Sequence, residues 1–111
     1  MKREVYIGTY NNDENSGIFR LELDTETGEM SGLTQTARVL NPNYMVMDKE
    51  KKLIYSVLKD GGNGGVCVSE ITDNIVTPSS KILSNGHLPC HVNIDKNKSF
   101  LFSANYRTGA V

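Results

Sequence analysis

The chain has 111 residues, and its 12 Lys+Arg nearly balance 13 Asp+Glu, which gives no reason to expect nucleic acid or an acidic membrane surface as a partner. Hydrophobic residues at 38% suit a globular rather than a disordered chain, and no run approaches the roughly 18 apolar residues of a membrane span. The first eight residues reach Gly8 too soon for a signal peptide, and Cys67 and Cys90 make no disulfide framework, so a reducing cytoplasm is the expected compartment.

In chain order, residues 5–10 (Val-Tyr-Ile-Gly-Thr-Tyr) read as a first short strand. Residues 18–23 alternate Ile, Arg, Glu with Phe, Leu, Leu, the pattern of a half-buried strand, and end at the turn Asp24-Thr25-Glu26-Thr27-Gly28. Residues 33–40 form the next strand. Residues 44–47 are a short strand, 48–52 a polar turn, and 53–57 a nearly unbroken apolar run that suits a strand buried on both faces. The glycine-rich stretch from Asp60 to Gly65 reads as a flexible loop, because it lacks the Gly-Lys-Ser/Thr ending and the helix of a phosphate-binding loop. Strands follow at 66–71, 81–83, 91–94 and 99–104, with turns at 72–74 and 95–98. The sequon Asn97-Lys98-Ser99 is a chance match in a chain expected to lack an export signal.

These segments repeat. Pro42 and Pro89 lie 47 residues apart, and at that offset Asp48, Lys49, Lys51 and Ser56 meet Asp95, Lys96, Lys98 and Ser103, while Leu53-Ile54-Tyr55 meets Phe100-Leu101-Phe102. At an offset of 48, residues 17–23 meet 65–71, and Ile7-Gly8 meets Tyr55-Ser56. Four short strands in a unit of about this length make a β-propeller blade, whose strands are named a to d from the centre outward. Strand a falls at 44–47 and 91–94; b at 5–10, 53–57 and 99–104; c at 18–23 and 66–71; d at 33–40 and 81–83. The expected fold is therefore all-β: about two and a third four-stranded blades, with a partial blade at 1–40, a blade at 41–86 and an incomplete one at 87–111. On this phase the first blade lacks its strand a, and Gly109-Ala110-Val111 begins a strand c, so the remaining blades are expected to be partners of this segment. Alone, the segment is expected to be inactive and prone to associate through open edges.

Five stretches carry a family resemblance: residues 5–10; Gly17-Ile18 with 24–28; Asn41-Pro42-Asn43-Tyr44; Pro89-Cys90-His91-Val92; and Ser103-Ala104-Asn105-Tyr106. In order and spacing they closely resemble the first third of the bacterial propeller-type 6-phosphogluconolactonases, a family that includes related muconate-lactonising enzymes. The resemblance implies a seven-bladed ring of roughly 336 residues. It implies hydrolysis of a sugar lactone, with no cofactor or metal, and it places the family's catalytic His, Arg and Glu candidates mostly on later blades. A non-catalytic propeller that binds protein or carbohydrate is the alternative, because fold alone does not fix function.

Residues just before strand a and just after strand b share one face of a propeller. That rule collects His91, Asn105, Tyr106 and Arg107 from the third repeat, with Tyr44 and Tyr10 at matching places in the earlier ones, as candidate substrate contacts. His91 is the one candidate for proton transfer. The plainer readings are a histidine that ties down its loop, an Asn that turns the chain, a Tyr that packs beside the next blade and a solvated Arg. Arg107 is suited to a phosphate, Lys59-Asp60 holds the equivalent place in the second repeat, and His87 is read as a loop residue. Pro89 between His87 and His91 rules out a helical metal pair, and adjacent strand residues Cys90 and His91 point apart, which argues against a thiol–imidazole pair.

Overall fold

In a computed structural model, which describes residues 1–11, 13–84 and 86–111, all regular structure is antiparallel β. The first sheet holds β1 (Lys2–Gly8), β2 (Ile18–Asp24) and β3 (Met30–Ala37). The second holds β4 (Met45–Asp48), β5 (Leu53–Asp60), β6 (Asn63–Thr72) and β7 (Ile75–Ser84). The third pairs β8 (His91–Ile94) with β9 (Leu101–Ala104). Strand order follows chain order in each, as in propeller blades.

The 47-residue offset holds pair by pair. Met45 faces Ser56, Val46 faces Tyr55 and Met47 faces Ile54; Val92 faces Ser103, Asn93 faces Phe102 and Ile94 faces Leu101. Local chemistry fixes this register. Asp48 Oδ1 accepts the Glu50 and Lys51 amides, each at 3.1 Å, and Asp95 Oδ1 accepts the Ser99 and Phe100 amides at 2.7 and 2.8 Å. Each Asp thus closes the turn from a to b, the usual work of a turn Asp.

Three expectations need correction. The alignment of Ile7-Gly8 with Tyr55-Ser56 is one residue out. Gly8 pairs with Ile18 as Val57 pairs with Val66, so β1 stands 49 residues before β5. A one-residue slip exchanges the faces of a strand, and the unequal b–c connections absorb it. The segment from Asp60 to Gly65 is no flexible loop: Asp60 pairs with Asn63 around Gly61-Gly62, so both strands run to the turn. Strand d of the second sheet is longer than 81–83 because Asp73 and Asn74, at φ 50° and 65°, form a two-residue hairpin turn that starts β7 at Ile75. Pro78 is tolerated there because β7 is an edge strand with a register shift opposite Val68/Ser69. Phe100 and Phe102, 67% and 52% exposed, lie on the face of the third sheet opposite buried Val92, where no further sheet of this segment packs.

The sheets pack face to face. Ile18, Ala37 and Val39 join Ile54, Leu58, Cys67 and Val76 in a core between the first two sheets, with Tyr6, Met45, Met47 and Ile71 at its margin. Burial raises the pKa of the Cys67 thiol above its ordinary value and does the same to the Tyr6 phenol. Between the second and third sheets, Val57 and Val92 are buried, and the repeat supplies a polar tie: Lys98 Nζ donates to Asp48 Oδ1 at 2.8 Å and lies 3.3 Å from Glu50. Asp48 is buried, and the Lys98 ammonium, then the turn amides, hold its carboxyl below the usual carboxylate range.

Two outcomes test this packing. Ile54→Ala removes a fully buried side chain from the core and is expected to cost about 2–5 kcal/mol of unfolding free energy, read by urea denaturation. Because folding depresses the Asp48 pKa, its contribution is complete above the unfolded value of about 3.9 and is lost as pH falls through the lower folded value. Lys98→Met is therefore expected to lower the melting temperature at pH 7 and to flatten its fall between pH 4 and pH 2.

Candidate functional site

The d–a connections that enter the second and third sheets and the ends of strand b lie on one face of the stack. Between these connections lies a cavity of about 420 Å³, within the range of about 300–1,000 Å³ typical of small-molecule sites. Tyr10 enters it from the first sheet, Asn41, Asn43 and Lys59 from the second, and His87, Cys90, Tyr106 and Arg107 from the third. One close approach shapes it. A Cβ on Gly64 would run into the His87 carbonyl, so only glycine lets residues 86–90 lie against β6, where the Gly64 amide donates to the Gly86 carbonyl at 3.0 Å.

The six sequence candidates do not all meet. Tyr10, Tyr106 and Arg107 line the cavity, whereas Tyr44 and His91 do not. The latter two stack on each other at 4.5 Å between ring centroids, tilted by 48°. They mark the starts of successive inner strands and hold the second and third sheets together at the mouth. Asn105 serves the loop. Its Nδ2 donates to the His87 carbonyl at 2.6 Å, and its Oδ1 accepts the Arg107 amide at 3.2 Å. Residues 105–110 close as a turn through two bonds of 2.9 Å, Asn105 N to Ala110 O and Gly109 N to Asn105 O.

Arg107 lies over the Tyr106 ring at 5.8 Å and its Nε donates to the Tyr106 hydroxyl at 3.3 Å, which raises the guanidinium pKa and keeps it charged. Two cations, Lys59 and the stacked Arg107, line the cavity with two phenols, two amides and an imidazole. His87 and Lys59 were missing from the candidate set. The signal for Lys59 was its repeat position, 47 residues before Tyr106; His87 had no signal beyond its nearness to Pro89. Cys90 Sγ donates to the Ala104 carbonyl at 3.3 Å, and both cysteines are free. Among the described residues no three His, Cys, Asp or Glu side chains cluster as metal ligands, and no helix is long and apolar enough to cross a membrane.

Stacked antiparallel sheets whose strands follow one another in chain order define a segment of a β-propeller. The sequence model of the family described as "Lactonase, 7-bladed beta-propeller" matches residues 4–111, and the chain belongs to that family. It is 37% identical over 108 residues to a 6-phosphogluconolactonase of Bacillus subtilis, a match that covers 96% of this chain and 31% of the relative. A Lactobacillus plantarum protein of known structure superposes with a TM-score of 0.86 at 27% identity, over 96% of this chain and 31% of its own. A putative 6-phosphogluconolactonase from Bacteroides fragilis does so at 0.80 and 25% identity, over 95% and 30%. The chain thus spans about a third of the length of these relatives.

The loop role of Asn105 has a direct check. Asn105→Ala removes the bond to His87 and is expected to cost about 1 kcal/mol of local stability, seen as roughly fivefold faster hydrogen exchange of the amides at 86–90 with little change in β5 and β6.

Proposed function

We propose that the ring to which this segment belongs hydrolyses a sugar lactone, and that the lactone is 6-phosphogluconolactone. The observation that carries the reading is the convergence of Tyr10, from the loop after the first sheet's strand b, with Tyr106 and Arg107, from the loop after the third sheet's strand b, on one cavity of small-molecule size. The name of the Bacillus subtilis relative supports the phosphorylated substrate. Lactone opening needs a water nucleophile, a base for its proton and donors for the oxyanion that develops on the carbonyl oxygen. In this reading the segment supplies donors and substrate contacts. Tyr10 and Tyr106 hydrogen-bond the sugar hydroxyls, and the Tyr44–His91 pair borders the mouth, with His91 exposed for a hydrogen bond to the lactone. The base and the remaining donors come from the other blades, and the whole works in the cytoplasm, where the free thiols Cys67 and Cys90 persist.

The test is turnover by the complete ring that carries this segment. His91→Ala is expected to lower kcat/KM on 6-phosphogluconolactone about tenfold, with the melting temperature within a few degrees of wild type. Unchanged turnover would leave His91 a packing partner of Tyr44. A wild-type ring that hydrolyses no sugar lactone would return the fold to the class of binding modules.

A further inference from the structure

We propose that Lys59 and Arg107 together form the anion subsite of the cavity and hold the substrate's phosphate, an inference that rests on the lactonase reading for the identity of the ligand. The charged side chains that line this cavity are these two, both cationic, and no carboxylate lines it among the described residues. Strand alternation aims Lys59 inward. Leu58 packs into the core between the first two sheets, so Lys59, on the opposite face of β5 with Val57, turns toward the third sheet and residues 86–90.

The neighbouring charges leave the pair available. Asp60, the nearest carboxylate in sequence, is tied to Lys81 on the other side of β5. Elsewhere Lys98 is held by Asp48, Arg20 by Glu4 and Lys2 by Glu22. Lys59 and Arg107 are in no ion pair among the described residues, and Arg107 spends one N–H on Tyr106, leaving the rest of its fork for a ligand. A planar guanidinium and an ammonium lining one cavity suit a phosphate dianion, the first by paired hydrogen bonds and the second by point charge. Tyr106 pre-sets the guanidinium by stacking and hydrogen bonding, so little conformational freedom is lost on binding. Lys59 lies near the end of strand b in the second sheet and Arg107 in the turn after strand b of the third, so the same end of neighbouring sheets carries both.

The experiment compares 6-phosphogluconolactone with unphosphorylated gluconolactone in the complete ring, for wild type, Lys59→Gln, Arg107→Gln and Lys59→Arg. Each Gln variant is expected to raise KM for the phosphorylated lactone about tenfold, to leave kinetics on the unphosphorylated lactone within about twofold, and to weaken inhibition by inorganic phosphate; Lys59→Arg should retain most of the discrimination. Equal loss on both lactones, or no loss on either, overturns the subsite. Thermal melts by circular dichroism separate misfolding from lost contact, and the Lys59→Arg variant keeps the test alive if a Gln variant unfolds. If the wild type hydrolyses neither lactone, the lactonase reading fails alone. Calorimetric titration with inorganic phosphate then decides the subsite: binding that both Gln variants weaken supports it, and absence of binding to wild type overturns it.

Discussion

A single sheet of this chain cannot bury both of its faces, and everything else follows from how the next sheet is laid against it. The third sheet is held to the second by the ion pair between Lys98 and the buried Asp48, carried by the corresponding turns of successive repeats. Asp48 first closes its own turn through the Glu50 and Lys51 amides and then receives the ammonium of the following blade. Desolvating a carboxylate is costly, and the cost is offset here because the same oxygen accepts turn amides and a cation. The pair fixes the register of one a–b hairpin on the next. The Tyr44–His91 stack, at the other end of the same inner strands, fixes it again. With both ends pinned, the loops before a and after b have no choice but to gather on one face.

The repeat was legible because turns have narrow chemistry. Asp, Lys and Pro recur at fixed places since an Asx-closed turn and a restricted entry to the strand leave few alternatives. The buried residues Ile18, Ile54 and Val57 also lay in segments read correctly as strands. What sequence missed was of another kind. The slip of β1 arises from unequal b–c connections: nine residues, Thr9 to Gly17, separate the pair Gly8–Ile18, and eight, Leu58 to Gly65, separate the matching pair Val57–Val66, a difference no local pattern reports. The length of β7 was hidden by Pro78 and by the polar, exposed run around it, acceptable on an outer edge and nowhere else.

The site divides along the same line. That Tyr10, Tyr106 and Arg107 share one cavity was legible from position alone, since position in the blade sets the face. Asn105 was found by that rule but works on the backbone of His87, a distinction made only by where its amide reaches. Lys59 required the strand's alternation to be known to the last residue before the turn, and the glycine-rich stretch after it concealed that the strand runs so far. The close approach at Gly64 likewise depends on a contact with residues more than twenty positions away.

The central claim is that the loops gathered by blade stacking form the place where a lactone is bound and opened. A crystal structure of the complete ring with 6-phosphogluconate, the product of the proposed reaction, tests it most directly. The account predicts the product on the d–a face, in the cavity between Tyr10, His87 and Tyr106. Product bound on the opposite face, or at an outer edge with this cavity unoccupied at saturating concentration, would contradict it.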